Sequence, residues 1–92
     1  MLALIQTSKF KQDYKRMVKQ GRNLSLLKDV IEVLQRREPL NVRHLDHPLT
    51  GNWRGFRECH VENDWILVYR VHNKELLLTL SRTGSHSEVF GL

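Results

Sequence analysis

The sequence predicts an α+β domain: an N-terminal strand, an antiparallel helical hairpin, then a three-stranded antiparallel meander that completes a four-stranded sheet. Three observations predict it. The chain has 92 residues, enough for one core and no second. Apolar residues recur at helical spacing up to Pro39 and at a period of two after Pro48. Two asparagine-bearing turns then divide the second half into three apolar runs.

Taken in order, Leu2 to Gln6 reads as a strand. Lys9 to Gln20 carries Phe10, Tyr14, Met17 and Val18 on one helical face, with Ser8 placed to cap its start and Gly21 to end it. A second helix follows on the stripe Leu24, Leu27, Val30, Ile31 and Leu34, and Pro39 cannot continue it. Gly21-Arg22-Asn23 is a short turn, so the two helices lie antiparallel. The meander comprises Gly55 to Glu62, Trp65 to Val71 and Glu75 to Ser81, joined by Glu62-Asn63-Asp64 and His72-Asn73-Lys74. Trp65 to Tyr69 is apolar on both faces and should be an interior strand covered from both sides. The tail, "SEVFGL", shows neither helical nor strand periodicity.

Composition narrows the class of function. An apolar share of 40% with 27% charged residues is that of a soluble globule. No apolar run approaches the roughly 20 residues that a membrane helix needs, and Met1 to Ile5 is too short for a signal segment, so no membrane is expected. A single cysteine, Cys59, forms no internal disulfide and fits the reducing cytoplasm. The net charge of +5 calls for an anionic partner, either a nucleic acid or an acidic protein, unless it serves solubility alone.

Polar groups that folding does not require collect in four places. These are the loop Arg43 to Gly55, the hairpin tip with His60, Glu62 and Asp64, the segment Ser81 to His86, and the tail with Phe90. His44, Asp46 and His47, with His60 and Asp64, offer metal-ligand types, but no HExxH or Cys-x-x-Cys pattern fixes them, and no metal or other cofactor is expected. Cys59 shares a strand face with Val61 and reads as a core residue.

Metal-free cleavage of RNA fits the inventory best. The ribose 2′-OH attacks the adjacent phosphate if one group removes its proton and another protonates the leaving 5′-oxygen. Imidazole suits both tasks, because its ordinary pKa of about 6.5 lies near working pH. A guanidinium stabilises the charge gathering on the phosphoryl oxygens. His47, His60, His86 and Arg82 supply such a set, with Asp64 orienting or activating an imidazole and Phe90 stacking on an unpaired base. Each also has a structural reading: His47 and Asp64 as turn residues, His60 as a cross-hairpin partner, Arg82 as a strand-end cation, and Phe90 as a seal on the core.

The stretch "DHPLTGNWRGFRECHVENDWILVYR" (Asp46 to Arg70), followed by "RTGSHSEVFG" (Arg82 to Gly91), closely resembles the YafQ-type branch of the RelE/ParE superfamily of bacterial toxins. The helical half matches in order and length, so the resemblance covers 1–92 as a single RelE-like toxin domain. It implies a type II toxin-antitoxin toxin, an mRNA interferase that cleaves messenger RNA on the ribosome, inhibits translation and is silenced by a cognate acidic antitoxin. It implies catalytic roles for His47, His60, Asp64, Arg82 and His86, and RNA contacts for Trp65 and Phe90. Leu26 and Val33, off the main stripe of the second helix, are candidates for docking the antitoxin. Two other readings stand beside this one. A non-catalytic toxin of the ParE branch binds DNA gyrase but lacks this histidine set, and a basic RNA-binding module would not need His86.

Overall fold

The computed structural model describes residues 1–91 and bears out the α+β architecture, with one strand and one helix more than the sequence predicts. In chain order, β1 (Ala3–Gln6), α1 (Ser8–Lys19) and α2 (Leu24–Gln35) are followed by β2 (His47–Pro48), β3 (Arg57–Glu62), β4 (Trp65–His72), β5 (Leu77–Gly84) and α3 (His86–Phe90). The five strands form one sheet in the order β1-β5-β4-β3-β2. The fifth strand is β2, whose two residues pair with Arg57 and Glu58 on the edge of β3. A two-residue strand containing proline leaves no periodicity to read, and it sits at an edge as proline requires. Among the described residues only β1 against β5 is parallel, with Ala3 opposite Leu77 and Gln6 opposite Leu80.

The helical hairpin ends as its glycine dictates. Gly21 takes φ +70°, the Gly21 N–H bonds the Val18 carbonyl and the Arg22 N–H bonds the Met17 carbonyl, the pair of bonds of a Schellman cap. The start of α1 differs from expectation: Thr7, not Ser8, is the cap, its hydroxyl accepting from the Phe10 N–H at 3.0 Å. The buried stripe of α1 is Phe10, Asp13 and Met17, while Tyr14 and Val18 face outward. α2 buries Leu27, Val30 and Leu34, each contributing about 1.5–3 kcal/mol by removal from water. Leu26 and Val33 are half-buried, not exposed, and line a groove with the loop at Pro39 to His44.

The sheet has two covered faces. One packs on the helical hairpin through Cys59, Val61, Trp65, Leu67, Tyr69, Leu78 and Leu80. The other carries Ile66 and Val68 beneath Val89 of α3, flanked by Leu49, Trp53, Phe56 and Phe90. Trp65 to Tyr69 is therefore wholly interior, as its two-sided apolar pattern requires. A bulge displaces β5 by one residue, so that Tyr69 pairs with Leu80 but Val68 pairs with Arg82. That slip turns Arg82 onto the face opposite the helical hairpin.

β1 ends at Gln6, which leaves the far half of β5 paired with β4 on one side and without a strand on the other. Side chains of the first helical segment close that edge. The Thr7 hydroxyl donates to the Ser81 carbonyl at 2.8 Å, Asp13 accepts from the Thr83 N–H at 3.1 Å, and Arg16 donates to the Thr83 carbonyl at 3.3 Å.

Candidate active site

Strand alternation sets Glu58 and His60 side by side on the β3 face away from the helical hairpin. Register carries two rows across the sheet: Glu58 opposite Val68 opposite Arg82, and His60 opposite Ile66 opposite Gly84. The β3–β4 turn places Asp64 at its tip, where the aspartate and not the neighbouring Asn63 adopts the left-handed conformation, with φ 51°. Ser85 then starts α3 through a capping box with Glu88, and His86 is the first residue of that helix. Gly84 must be glycine. It takes φ +147°, and a Cβ there would lie 2.8 Å from Arg16 Nη2 and 3.0 Å from Glu88 Oε1, forcing that ion pair apart.

These elements gather three imidazoles around one buried carboxylate. Glu58, 4% exposed, lies with Oε1 3.1 Å from His86 Nε2, and with Oε2 3.4 Å from His47 Nε2 and 3.7 Å from His60 Nε2. His86 also meets Asp64: its backbone N–H donates to Oδ1 at 3.2 Å, and its Nδ1 lies 3.3 Å from the same oxygen. Carboxylates at both ring nitrogens favour the imidazolium. Burial works against that charge, but the bonds to Glu58 and Asp64 outweigh it and raise the His86 pKa above the ordinary value. The backbone N–H of His86, followed by its ring, holds Asp64 below the usual carboxylate range. The His60 and His86 ring centroids are 5.3 Å apart.

His47 donates through Nδ1 to the Leu45 carbonyl at 2.7 Å, which fixes the ring with Nε2 toward Glu58. His44 and Asp46 serve the scaffold. His44 Nδ1 donates to the His60 carbonyl at 2.6 Å, and Asp46 accepts from the Tyr69 hydroxyl at 2.6 Å and from Arg57 Nε at 3.2 Å.

Arg82 is more constrained than a strand-end cation. Its Nε donates to Asp13 Oδ2 at 2.7 Å, its Nη2 to Asp13 Oδ1 at 3.2 Å, and its Nη1 to the Val89 carbonyl at 3.3 Å. Burial opposes its charge, but the bond to Asp13 is larger and raises its pKa. Phe90 is half-exposed at the end of α3, its ring centroid 6.2 Å from His86 and 5.7 Å from Trp53.

One expected contact fails. Trp65 has no exposed surface; its indole N–H donates to Thr83 Oγ1 at 2.9 Å within the core, so no base reaches its ring. The aromatic surface beside the imidazoles is Trp53, Phe56 and Phe90. Cys59 is fully buried, and burial pushes its thiol pKa up, as suits a core residue. Sequence reading missed Glu58 and Asp13. Glu58 was accessible to it, because strand alternation puts residue 58 on the face of His60. Asp13 lay off the stripe assigned to α1.

The same cluster could hold a cation. One donor atom each from Glu58, His60 and His86 lies within 4.8 Å of the others, and two nitrogens with one oxygen suit Zn²⁺ or Cu²⁺.

The RelE-like α+β fold places the chain in a class of small bacterial toxins. The family of bacterial toxins of type II toxin-antitoxin systems called YafQ matches residues 2–91, and the chain belongs to that family. The mRNA interferase toxin YafQ of Escherichia coli K12 is 38% identical over 86 residues, covering 92% of this chain and 91% of that protein. The metal-bound toxin from Helicobacter pylori superposes with a TM-score of 0.92 at 44% identity, covering 98% of this chain and 100% of that one. The toxin in the DinJ-YafQ complex of E. coli superposes with a TM-score of 0.88 at 35% identity, covering 99% of this chain and 100% of that one.

Proposed function

We propose that this chain is an mRNA interferase, a cytoplasmic endoribonuclease that cleaves messenger RNA on the ribosome and so stops translation. The observation that carries the reading is His86, set between Glu58 and Asp64 so that a carboxylate faces each ring nitrogen and favours the imidazolium, beside His60 and His47. His60 takes the 2′-OH proton as the oxygen bonds to phosphorus. The P–O5′ bond breaks, and the leaving oxygen receives its proton from His86. The products are a 2′,3′-cyclic phosphate and a 5′-hydroxyl. Arg82 stabilises the charge on the phosphoryl oxygens, and Asp64 fixes the His86 ring. His47 flanks the phosphate from the edge strand, and Phe90 stacks on a neighbouring base.

Every proton in this scheme moves through imidazole, so the reaction runs without a metal. An ion on Glu58, His60 and His86 would take the lone pairs the reaction needs and act as an inhibitor. The E. coli relative named mRNA interferase supports the activity. Its complex with DinJ supports an antitoxin partner, and the charge of +5 suits an acidic one. A gyrase-binding role would leave the imidazole cluster without work.

The test is expression of the chain alone, with and without His86→Ala. The parent should arrest growth and leave 2′,3′-cyclic phosphate ends on messenger RNA. His86→Ala should lose activity by about 10²–10⁴ while remaining folded, because the ring is a general acid at a partly exposed helix start. A soluble His86→Ala protein that still arrests growth would remove the catalytic role, and 3′-hydroxyl ends would remove the mechanism.

A further inference from the structure

We propose that Asp13, on the first helix and outside the imidazole cluster, is the positioning residue that aims Arg82 at the scissile phosphate. The proposal rests on the reading of Arg82 as the phosphate-binding group in RNA cleavage.

Asp13 is 2% exposed, in a helical stripe whose other members, Phe10 and Met17, are apolar. A carboxylate costs free energy there unless it is fully bonded. It is fully bonded: Oδ2 accepts from Arg82 Nε and the Thr83 N–H, and Oδ1 accepts from Arg82 Nη2 and from Arg16 Nη2 at 3.0 Å. The two bonds to Arg82 are bidentate, which fixes the plane of the guanidinium as well as its place. Of the five N–H groups of Arg82, Asp13 takes two and the Val89 carbonyl one, leaving one hydrogen on each terminal nitrogen. Those two are the donors available to a pair of phosphoryl oxygens.

A structural role alone accounts for less of this. Closing the bare edge of β5 requires only the bond to the Thr83 N–H, which an uncharged acceptor provides. The bidentate grip on Arg82 is additional, and it acts on the residue that register places in the row of Glu58. A guanidinium already held by a buried carboxylate needs no reorganisation when charge develops on the phosphate. Asp13 touches none of the imidazoles, so it should govern how well charge is stabilised and not which protons move.

The experiment measures single-turnover RNA cleavage, KM and the pH profile for the parent, Asp13→Asn, Arg82→Ala and the double variant, with thermal unfolding as the folding control. Asp13→Asn should lower kcat by roughly 10- to 100-fold, leave KM within about threefold and leave the pH profile unmoved. In the Arg82→Ala background it should cost less than about twofold more, because the group it positions is gone. Equal losses in both backgrounds, or undiminished kcat in a folded Asp13→Asn protein, would overturn the proposal.

Should Asp13→Asn not fold, Arg82→Lys decides. Lysine keeps the charge but cannot be gripped bidentately while reaching a phosphate, so it should be as inactive as Arg82→Ala to within about threefold. Activity near the parent's would overturn the proposal. An inactive parent, or a fully active Arg82→Ala, would instead remove the underlying reading of Arg82 and this proposal with it. An inactive Arg82→Ala beside an undiminished Asp13→Asn removes this proposal alone.

Discussion

Replacing Glu58 by glutamine removes the buried negative charge around which the imidazoles gather and keeps the side chain's length. Glu58 Oε1 lies 3.1 Å from His86 Nε2, close enough for a charge-assisted hydrogen bond to the imidazolium. Such bonds contribute about 1.5–3 kcal/mol. Losing this partner lowers the protonated fraction of the general acid at neutral pH, so at about 1.4 kcal/mol for each factor of ten the rate should fall by up to roughly 100-fold. Asp64 still holds Nδ1 at 3.3 Å, so the loss should stop short of that from deleting the ring. The sign in pH also follows. Burial lowers the His86 pKa, and the bonds to Glu58 and Asp64 raise it above the ordinary value. With Glu58 neutral, only Asp64 opposes burial, so the pKa falls and the basic limb of the rate profile moves to lower pH. The assay pairs cleavage of a short unstructured RNA across pH with imidazole resonances followed by NMR in the same protein. A folded Glu58→Gln variant with the parental rate and an unmoved His86 titration would refute the reasoning.

Zn²⁺ or Cu²⁺ should inhibit cleavage, chelation should restore it, and inhibition should weaken toward acidic pH as protons compete for the same nitrogens; stimulation by the ion would contradict the metal-free scheme. Trp65→Phe should destabilise the fold by about 1–3 kcal/mol through the lost bond to Thr83 Oγ1, while single-stranded RNA affinity stays unchanged; Phe90→Ala should show the reverse pattern, weaker RNA binding with little loss of stability. Capture by an acidic antitoxin should slow as salt rises while most of the affinity remains, because charge steers encounter and apolar burial sets dissociation. Stopped-flow association that ignores salt would assign the positive charge to RNA alone.

The helical hairpin and the three long strands were legible because each has enough residues to show its period. The interior character of Trp65 to Tyr69 was legible for the same reason, yet that character also argues against an RNA-stacking Trp65. A residue that belongs to a two-sided apolar run belongs to the core, whatever motif it sits in. The stripe of α1 was misread because Asp13 looks like a solvent residue until Arg82, 69 positions away, supplies its partner. The helix at His86 to Phe90 has five residues, too few for periodicity, although Ser85 and Glu88 carry the capping-box spacing that announces it. His47, His60 and His86 were recognisable as chemistry. The carboxylate that unites them was not picked out, because a glutamate in a strand reads as an exposed residue unless its neighbours across the sheet are known.

The support of Arg82 has a consequence for when the toxin becomes dangerous. Its brace, Asp13 on α1, precedes Arg82 by 69 residues, and His86 and Phe90 come later still. Parallel pairing of residues 3–6 with 77–80 brings these distant segments together, and a parallel pairing over so long a separation forms slowly. A chain synthesised only as far as β4 therefore lacks Arg82 and His86, and with them the complete cluster. On the proposed reading the RNA-cleaving cluster is complete only after that closure, which gives an antitoxin an interval in which to meet an unfinished chain.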